Sequence, residues 1–513
     1  MKRRKRSKKK ILYMTTLNHN NDILAQRYAS DFSIPLELAH IVAKRYPDYS
    51  TAKELLFPDI CNLYDPQSIP DIDVAAEEII SSIQSGERVL IYCHDDPDGY
   101  TSAVIMYKTL IDLSRRKDDQ VYIYPIIREQ DGYILNPTVL KNYKKKGFDL
   151  VITVDFGISN EDNFHNAQQA NMKLIVCDHH ETNCVHFAAP AVNPKRSDSQ
   201  YPFRELAGVG VTFKLAQVLY QKAFNLQPSE FFSLKKDFFL FVLIGSIADR
   251  VPLVGENRIF CSYGLSILGE MNEPWMRYWS KEDVFTLKQI TKEVIPILSS
   301  AAYLDSNLGI EMLLSKDELA AFDIIQQLKV VNDERRQTIA VLFKEALAAA
   351  KIFPDIVVSI IPFSKHHYLG PVASRLRDYF HKTVVVVGSK DEKYVGELRS
   401  ACIDLYTMLN SFSTLFYDFG GHKKAAGFSM SRDNLDIFIE NAVAYSTQHR
   451  RDITSNCTGS SDTPELFLKK SDIGILRRLA PFGEGNPAPL LTDGTSIYTI
   501  DNAFEVVDVG KEG

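Results

Sequence analysis

The chain has 513 residues, 45% hydrophobic, 24% charged and 11% aromatic, which excludes collagen-like, low-complexity and wholly disordered classes and suggests three to five domains. It carries 59 Lys+Arg against 65 Asp+Glu, a net charge of −6; eight of the basic residues lie in residues 1–10, so the remainder carries about −14. A globally basic nucleic-acid coat is therefore excluded, and any nucleic-acid binding must use a local patch or bound cations.

Residues 1–21 read as a basic, disordered tail, a solvated arm with non-specific phosphate binding as the sharper alternative. The seven cysteines, Cys61, Cys93, Cys177, Cys184, Cys261, Cys402 and Cys457, form no C-x-x-C pair. Their odd number argues for free thiols in a reducing compartment. No apolar run approaches ~18 residues, and no signal-peptide apolar region follows the tail. A soluble cytoplasmic protein without a membrane is expected.

Residues 22–86 read as helical: SIPLELAHIVAKRY and STAKELL have helix-period apolar spacing, and VAAEEIISSIQSGE runs to Gly86. Then short apolar runs alternate with helical segments. RVLIYC (88–93), VYIYPII, DLVITV (149–154) and KLIVC (173–177) read as strands, with helices over TSAVIMYKTLIDL and around Pro137 to Lys146. This alternation predicts βαβ units and a parallel sheet. Residues 201–250 read as mainly helical. Ser315-Lys-Asp-Glu318 resembles a capping box opening a long helix to about Lys351. A second α/β pattern follows in DIVVSIIP, VASRLRDYF and TVVVVG. A polar Ser/Thr-rich linker near 446–463 precedes a PFGEGNPAP turn and a few strand-like residues.

The chemistry-bearing residues gather at the ends of predicted strands. The first strand runs into His94-Asp95-Asp96-Pro97-Asp98-Gly99. On extended backbone His94, Asp96 and Asp98 point the same way, at the carboxyl end of a parallel strand where open α/β sheets place their sites. The same residues suit an acidic turn that caps the following helix near Thr101. DLVITV runs into Asp155-Phe156-Gly157, KLIVC into Asp178-His179-His180, and the apolar helix 238–248 into Asp249. Singly each is an ordinary cap or surface residue; together they would converge on one rim. Carboxylate and imidazole ligands without thiolates suit Mn²⁺ or Mg²⁺, with Zn²⁺ as an alternative. Two cations there would clamp a phosphate and generate hydroxide.

These four motifs resemble those of the DHH phosphoesterase superfamily, and the chain most resembles its RecJ family of single-stranded-DNA exonucleases. The likeness extends through Asn193-Pro194, YPFRELAGVGVTFKLA (201–216), IADRVPLVGENR (247–258), VVNDERRQTI (330–339), GPVASRL (370–376), GELRSA (396–401), FGGHKKAAGF (419–428) and LAPFGEGNPAP (479–489). The resemblance implies an α/β fold in which a parallel-sheet DHH domain is joined by a long helix to a smaller α/β DHHA1 domain. An incomplete OB-like segment would follow at the C-terminal side. The expected domains are a tail (1–21), N-terminal helices with the DHH domain (22–314), a connecting helix (315–352), DHHA1 (353–445), a linker (446–463) and the OB-like start (464–513).

The resemblance also implies roles. His94 and Asp98 would hold one Mn²⁺; Asp96, His179 and Asp249 the other; Asp155 would bridge both. Mg²⁺ is the alternative ion. Asp96, Asp155, His179 and His180 would be the catalytic residues, with Asp178 orienting the ligand histidine and His180 facing the substrate phosphate. In the second domain Arg375, Arg399, Ser400, Gly420, Gly421 and His422 would contact backbone phosphates, the glycines by close backbone approach and the arginines by bidentate pairing. The partners so implied are single-stranded nucleic acid and, among proteins, a single-strand-binding protein or a helicase. The activity implied is 5′-to-3′ hydrolysis of single-stranded DNA to nucleoside 5′-monophosphates, in repair and recombination. Two features depart from the family pattern. Many RecJ sequences have an acid where this chain has His94, and the residues after Pro489 are too few for a five-stranded barrel. The second feature supports an alternative: a phosphodiesterase for short oligonucleotides or cyclic dinucleotides. A catalytically inactive replication scaffold would have lost metal ligands, and none is lost here.

Overall fold

The structure, a computed structural model, describes residues 19–114, 118–132, 134–182, 187–280, 285–362, 366–390, 392–400, 402–421, 423–449, 466–467, 473–492, 496–500 and 506–508. The basic tail up to residue 18, most of the expected linker and His422 lie outside them.

The first sheet contains β1 (Arg88–Cys93), β2 (Val121–Pro125), β3 (Phe148–Val154), β4 (Lys173–Cys177) and β5 (Ala191–Val192), ordered β2-β1-β3-β4-β5 and parallel throughout. Its strands lack polar alternation because both faces are covered. Val89, Ile91 and Cys93 of β1 enter one core with Leu150, Ile152 and Val154 of β3. Leu90 and Tyr92 enter another, with Val151 and Val176. The strand runs read from sequence thus coincide with observed strands, because two buried faces require continuous apolar residues.

The helix Lys236–Ala248 has every residue from Phe238 to Ser246 buried, as expected of a helix that is apolar all round. It passes close to the helix Pro97–Leu113. A Cβ at Gly245 would fall 2.6 Å from Thr101 Oγ1 and 2.7 Å from Asp98 Oδ1, so only glycine permits the crossing. Nearby, the fully buried Lys214 donates to Glu256 Oε1 (2.7 Å) and to Tyr64 O (2.8 Å), while Tyr201 Oη donates to Glu256 Oε2 (2.6 Å). This pair ties the helix Gly208–Phe224 to the helix Gly255–Ser266.

The long helix spans Glu318–Ala348, and its cap is Asp317, which accepts from Ala320 N, rather than the expected Ser315. Ser315 instead donates its hydroxyl to Asp317 O. The second sheet holds β6 (Ala350–Ile352), β7 (Ile356–Ile361), β8 (Thr383–Lys390), β9 (Lys393–Arg399), β10 (Phe416–Gly421) and β11 (Ala425–Ser431), ordered β10-β11-β9-β8-β7-β6. Only β7 and β8 pair in parallel, joined by the helix Leu369–Phe380; the other pairings are antiparallel. The α/β class expected from sequence is therefore present in two sheets, one parallel and one mixed.

The chain divides into two units. Ile60–Ser461 with Gly483–Gly485 forms one; the residues through Asp59 form the other with Asp462–Phe482 and those from Asn486 onward. In the latter, Tyr28, Leu38, Val42 and Leu55 share a core with Leu476, Leu479, Phe482, Leu491 and Ile500. Its sheet comprises β12 (Leu466–Phe467), β13 (Leu491–Thr492), β14 (Ile497–Ile500) and β15 (Val506–Asp508). Where an OB-like segment was expected, the described residues form these four short strands. Cys61, Cys93, Cys177 and Cys261 are free thiols. Cys402 is disulfide-bonded, against the all-thiol expectation. No helix among the described residues is long and apolar enough to cross a membrane.

Removing one partner of a buried ion pair strands the other charge, at a cost of about 3–5 kcal/mol. Lys214→Met should lower unfolding stability by that amount, read as the urea midpoint. A loss below about 1 kcal/mol would show that Glu256 is satisfied without Lys214.

Candidate metal centre

The order of the first sheet reverses between β1 and β3, and open parallel sheets form their crevice outside the carboxyl ends at such a point. β1 leads there into His94, β3 into Asp155, and β4 into Asp178. The ladder continues one residue past each strand: His94 N donates to Val154 O (3.3 Å), Asp155 N to Cys177 O (3.0 Å) and Asp178 N to Val192 O (3.1 Å). Three consecutive loops therefore leave the sheet at one level.

The helix Pro97–Leu113 starts immediately after β1, so the His94–Asp98 segment is not extended. Asp96 is its N-cap, accepting from Gly99 N at 3.0 Å, and Pro97 occupies the first turn, where its missing N–H costs nothing. Asp98 lies in the first turn, buried, with Oδ2 accepting from Gly208 N (2.8 Å) and Oδ1 from Val209 N (2.9 Å). Both readings of the motif hold: it caps a helix and presents carboxylates. The helical turn also sends Asp96 and Asp98 to different neighbours.

Two groups of potential ligands result, each with its donor atoms within 4.8 Å of one another: His94, Asp96 and Asp155; and Asp98, His179 and Asp249. His94 Nδ1 lies 3.0 Å from Asp96 Oδ2 and 4.0 Å from Asp155 Oδ2. His179 Nε2 lies 3.2 Å from Asp155 Oδ1, 3.7 Å from Asp249 Oδ2 and 3.9 Å from Asp98 Oδ2. The resemblance implied Asp98 beside His94 and Asp96 beside His179; here Asp96 lies with His94 and Asp98 with His179, the two carboxylates being parted by the helix that begins at Pro97. Asp155 touches both groups and also joins His179 and His180 in a third. It adopts a left-handed backbone, φ 63°, which a non-glycine residue holds only where its surroundings enforce it. Gly208 helps do so: a Cβ there would fall 2.4 Å from Asp155 Oδ1.

This donor set fits divalent cations. It consists of carboxylates and imidazoles without sulfur, the choice of Mn²⁺ and Mg²⁺ over soft metals. Asp155 Oδ1 is buried without a hydrogen-bond donor. Burial, then the Asp96 charge, pushes the Asp98 carboxyl up to about 7 despite its two N–H donors. Burial and the Asp98 charge push Asp155 and Asp249 well above the usual carboxylate range. Burial holds His179 well below the usual imidazole range, hence neutral. Its Nδ1 lies 3.0 Å from Leu206 O and so carries the proton, leaving the Nε2 lone pair for a cation.

Asp178 does not orient His179 as expected. Its Oδ1 accepts from the His180 ring Nδ1 (2.7 Å) and from the backbone N of His179 (2.7 Å) and His180 (3.1 Å), and its Oδ2 from Ile158 N (3.0 Å). Burial alone would raise Asp178, but His180 and these donors hold it well below the carboxylate range. Leu206 O takes the orienting role for His179, and Asp178 fixes His180, whose ring is one-quarter exposed.

The second-domain candidates are not all equivalent. Arg399 donates to Glu397 Oε2 (2.8 Å) and packs where a Cβ on Gly370 would touch it at 2.6 Å. Arg375 stacks 4.7 Å over Phe343 of the long helix. Ser400 is fully buried; its hydroxyl contacts Thr383 Oγ1 (2.8 Å) and accepts from Cys402 N (3.1 Å) and Ile403 N (2.9 Å). It shapes the turn after β9 and is not available to a phosphate, contrary to expectation. Gly421 needs its glycine, with φ 129° and 2.4 Å between a Cβ and Ala425 O, whereas Gly420 faces open space. Residues given no role from sequence include Leu206, Gly208 and Val209, within a quoted motif whose small residues before a helix were the available signal. Arg250, beside Asp249 and in the field of Arg377 and Arg399, is another.

The DHH family N-terminal domain matches residues 88–245 and the DHHA1 domain residues 356–447. Each match is to one domain, and over most of its length the chain is similar to the single-stranded-DNA-specific exonuclease RecJ. It is 28% identical over 475 residues to RecJ of Bacillus subtilis (strain 168), covering 89% of this chain and 58% of that protein. It is also 28% identical over 501 residues to RecJ of Dickeya dadantii (strain 3937), covering 91% and 85%. The chain thus spans under two-thirds of the Bacillus relative's length. The fold is similar to RecJ of Thermus thermophilus crystallised with Mn²⁺, with TM-score 0.73, 22% identity, and 96% of this chain and 72% of that one covered. The same protein crystallised with Mg²⁺ gives a TM-score of 0.67 at 21% identity, covering 94% and 70%.

Two outcomes follow for metal binding. Asp98, Asp155 and Asp249 have folded pKa values above their unfolded ones, so their contribution is full below about pH 4 and is lost as pH rises through about 7 and beyond. The metal-free protein should weaken over that window, and Mn²⁺ should raise the melting temperature more at about pH 8 than at about pH 5. Scanning calorimetry with Mn²⁺ or with chelator decides; a gain independent of pH counts against these acids as ligands. Separately, Gly208→Ala should reduce Mn²⁺ affinity about tenfold or more in a calorimetric titration, with a native circular-dichroism spectrum. Unchanged affinity would mean that Asp155 can move without loss.

Proposed function

We propose that this protein is a metal-dependent exonuclease that hydrolyses single-stranded DNA from the 5′ end to nucleoside 5′-monophosphates, acting in cytoplasmic DNA repair and recombination. The observation that carries the reading is the pair of ligand groups meeting at Asp155, at the switch point of the parallel sheet. His94, Asp96 and Asp155 would hold one Mn²⁺, and Asp98, His179 and Asp249 the other, with Asp155 shared; Mg²⁺ is the alternative. Such cations supply Lewis-acid activation of water and charge neutralisation at a phosphate.

The chain's own groups supply the rest. Gly208 and Val209 N–H fix the Asp98 carboxylate, and Leu206 O fixes the His179 tautomer. Asp178 holds His180 by Nδ1, which leaves Nε2 as the ring atom that would donate to a phosphate oxygen. Arg375, Arg399, Gly420, Gly421 and His422 are the residues proposed for the strand's backbone, with Ser400 behind them as support. Single-stranded nucleic acid is the proposed partner, and a single-strand-binding protein or helicase would deliver it.

The alternative reading keeps the same site and takes short oligonucleotides or cyclic dinucleotides as substrate. End-labelled DNA and RNA strands of ~5 and ~50 nucleotides, with cyclic dinucleotides alongside, separate the two. The first reading expects degradation of the long DNA from its 5′ end; preference for the shortest substrates would replace it. Asp155→Ala should abolish cleavage while preserving the native spectrum, since both ligand groups lose a member. Substantial residual activity in a folded variant would remove the shared-ligand role.

A further inference from the structure

The Asn193-Pro194 motif follows the sheet's last strand and leads directly into Lys195. Lys195 has a side chain only 9% exposed, and its Nζ lies 3.4 Å from Glu181 Oε1. Among the described residues this ammonium donates no hydrogen bond. A largely buried ammonium with one loose ionic neighbour is poorly satisfied, since burial removes water that three strong donors require.

Its placement is rigid. Asn193 is fully buried; its Nδ2 donates to His180 O (3.0 Å) and its Oδ1 accepts from Lys195 N (2.6 Å). One side chain thus ties Lys195 to the backbone of His180, whose ring reaches the Asp155–His179 group. The Lys195 charge also reaches the Asp98–His179–Asp249 group: it lowers the Asp249 carboxyl and disfavours a charged His179. Its neighbour Glu181 acts in turn on Tyr406 of the second domain. The ammonium therefore lies within electrostatic reach of the candidate metal centre.

We propose that Lys195 is a phosphate-binding residue of this rim: Glu181 holds its ammonium at rest, and a non-bridging oxygen of the strand's backbone phosphate takes it over on binding. Lysine suits this as a compact point charge on a buried stem. Glu181 keeps the cation tolerable without substrate, and at 3.4 Å with no hydrogen bond it is easily displaced. The inference rests on the phosphodiesterase reading for the identity of its ligand.

The test uses the full chain with Mn²⁺ and a (dT) strand of ~12 nucleotides. Lys195→Met should raise KM about tenfold, the loss of one charged hydrogen bond, and Lys195→Arg should recover most of it. Calorimetric Mn²⁺ affinity of Lys195→Met should equal or exceed that of the wild type, because a nearby positive charge has been removed. A KM within about twofold of wild type, or Mn²⁺ affinity that falls in parallel with activity, overturns the proposal. Anisotropy with a cleavage-resistant phosphorothioate strand separates this from failure of the nuclease reading. If the wild type does not cleave but Lys195→Met binds that strand more weakly, the lysine assignment stands and the nuclease reading falls. If the wild type does not cleave and Lys195→Met binds the strand equally well, the assignment falls too.

Discussion

Asp98, Asp155 and Asp249 crowd carboxyl groups into a space largely closed to water, with His179 among them. The donor atoms of Asp98 and Asp249 lie within 4.8 Å of one another, and like charges that close repel by a few kcal/mol even at an effective dielectric near 20. Left to itself the cluster would take up protons or move apart. Much of the surrounding architecture prevents the second. Two backbone N–H groups at the start of the helix Gly208–Phe224 pin Asp98, a left-handed backbone holds Asp155, and the end of a buried helix delivers Asp249. Fixed geometry and unsettled charge together make the site a receptor for cations.

Holding acids against their repulsion requires a stiff scaffold. The parallel sheet is clamped between two apolar cores, so the three loops at its carboxyl ends start from fixed points. The helix Lys236–Ala248 is enclosed on all sides, and Gly245 lets it approach Asp98 closely. The tripeptide Gly483–Gly485 adds a link: Glu484 O accepts from Leu253 N at 2.8 Å, and the Glu484 carboxylate pairs with Lys424 beyond the Gly-Gly turn. Backbone near Asp249 and the tip of the second domain thus share one anchor.

The strands and the candidate ligands were legible because each rests on local information: apolar runs for buried strands, and acids or histidines at the ends of those runs. The grouping of those ligands depends on where the helix begins, because a start at Pro97 puts Asp96 at its cap and Asp98 in its first turn. Ser400 was misread because residue type does not tell which way a hydroxyl points; buried under Thr383, it serves a turn. Asp178 sits next to both histidines in sequence, and only the fold decides which ring it holds. The core shared by Leu38, Leu55 and Leu479 could not be read from periodicity, because its two halves are remote along the chain.

That last feature bears on how the polypeptide is made. Leu56 and Leu476 belong to one hydrophobic cluster, yet a ribosome working at roughly 5–20 residues per second would need on the order of 20–80 seconds to pass from one to the other. During that interval the helices before Asp59 lack the partners that cover Tyr28, Leu38 and Val42, while the sheet that bears the acids can already close on itself. The nascent chain would carry a formed catalytic scaffold behind an uncovered apolar leader. The early helices are therefore the stretch most exposed to chaperone capture or to misassociation with a neighbouring nascent chain.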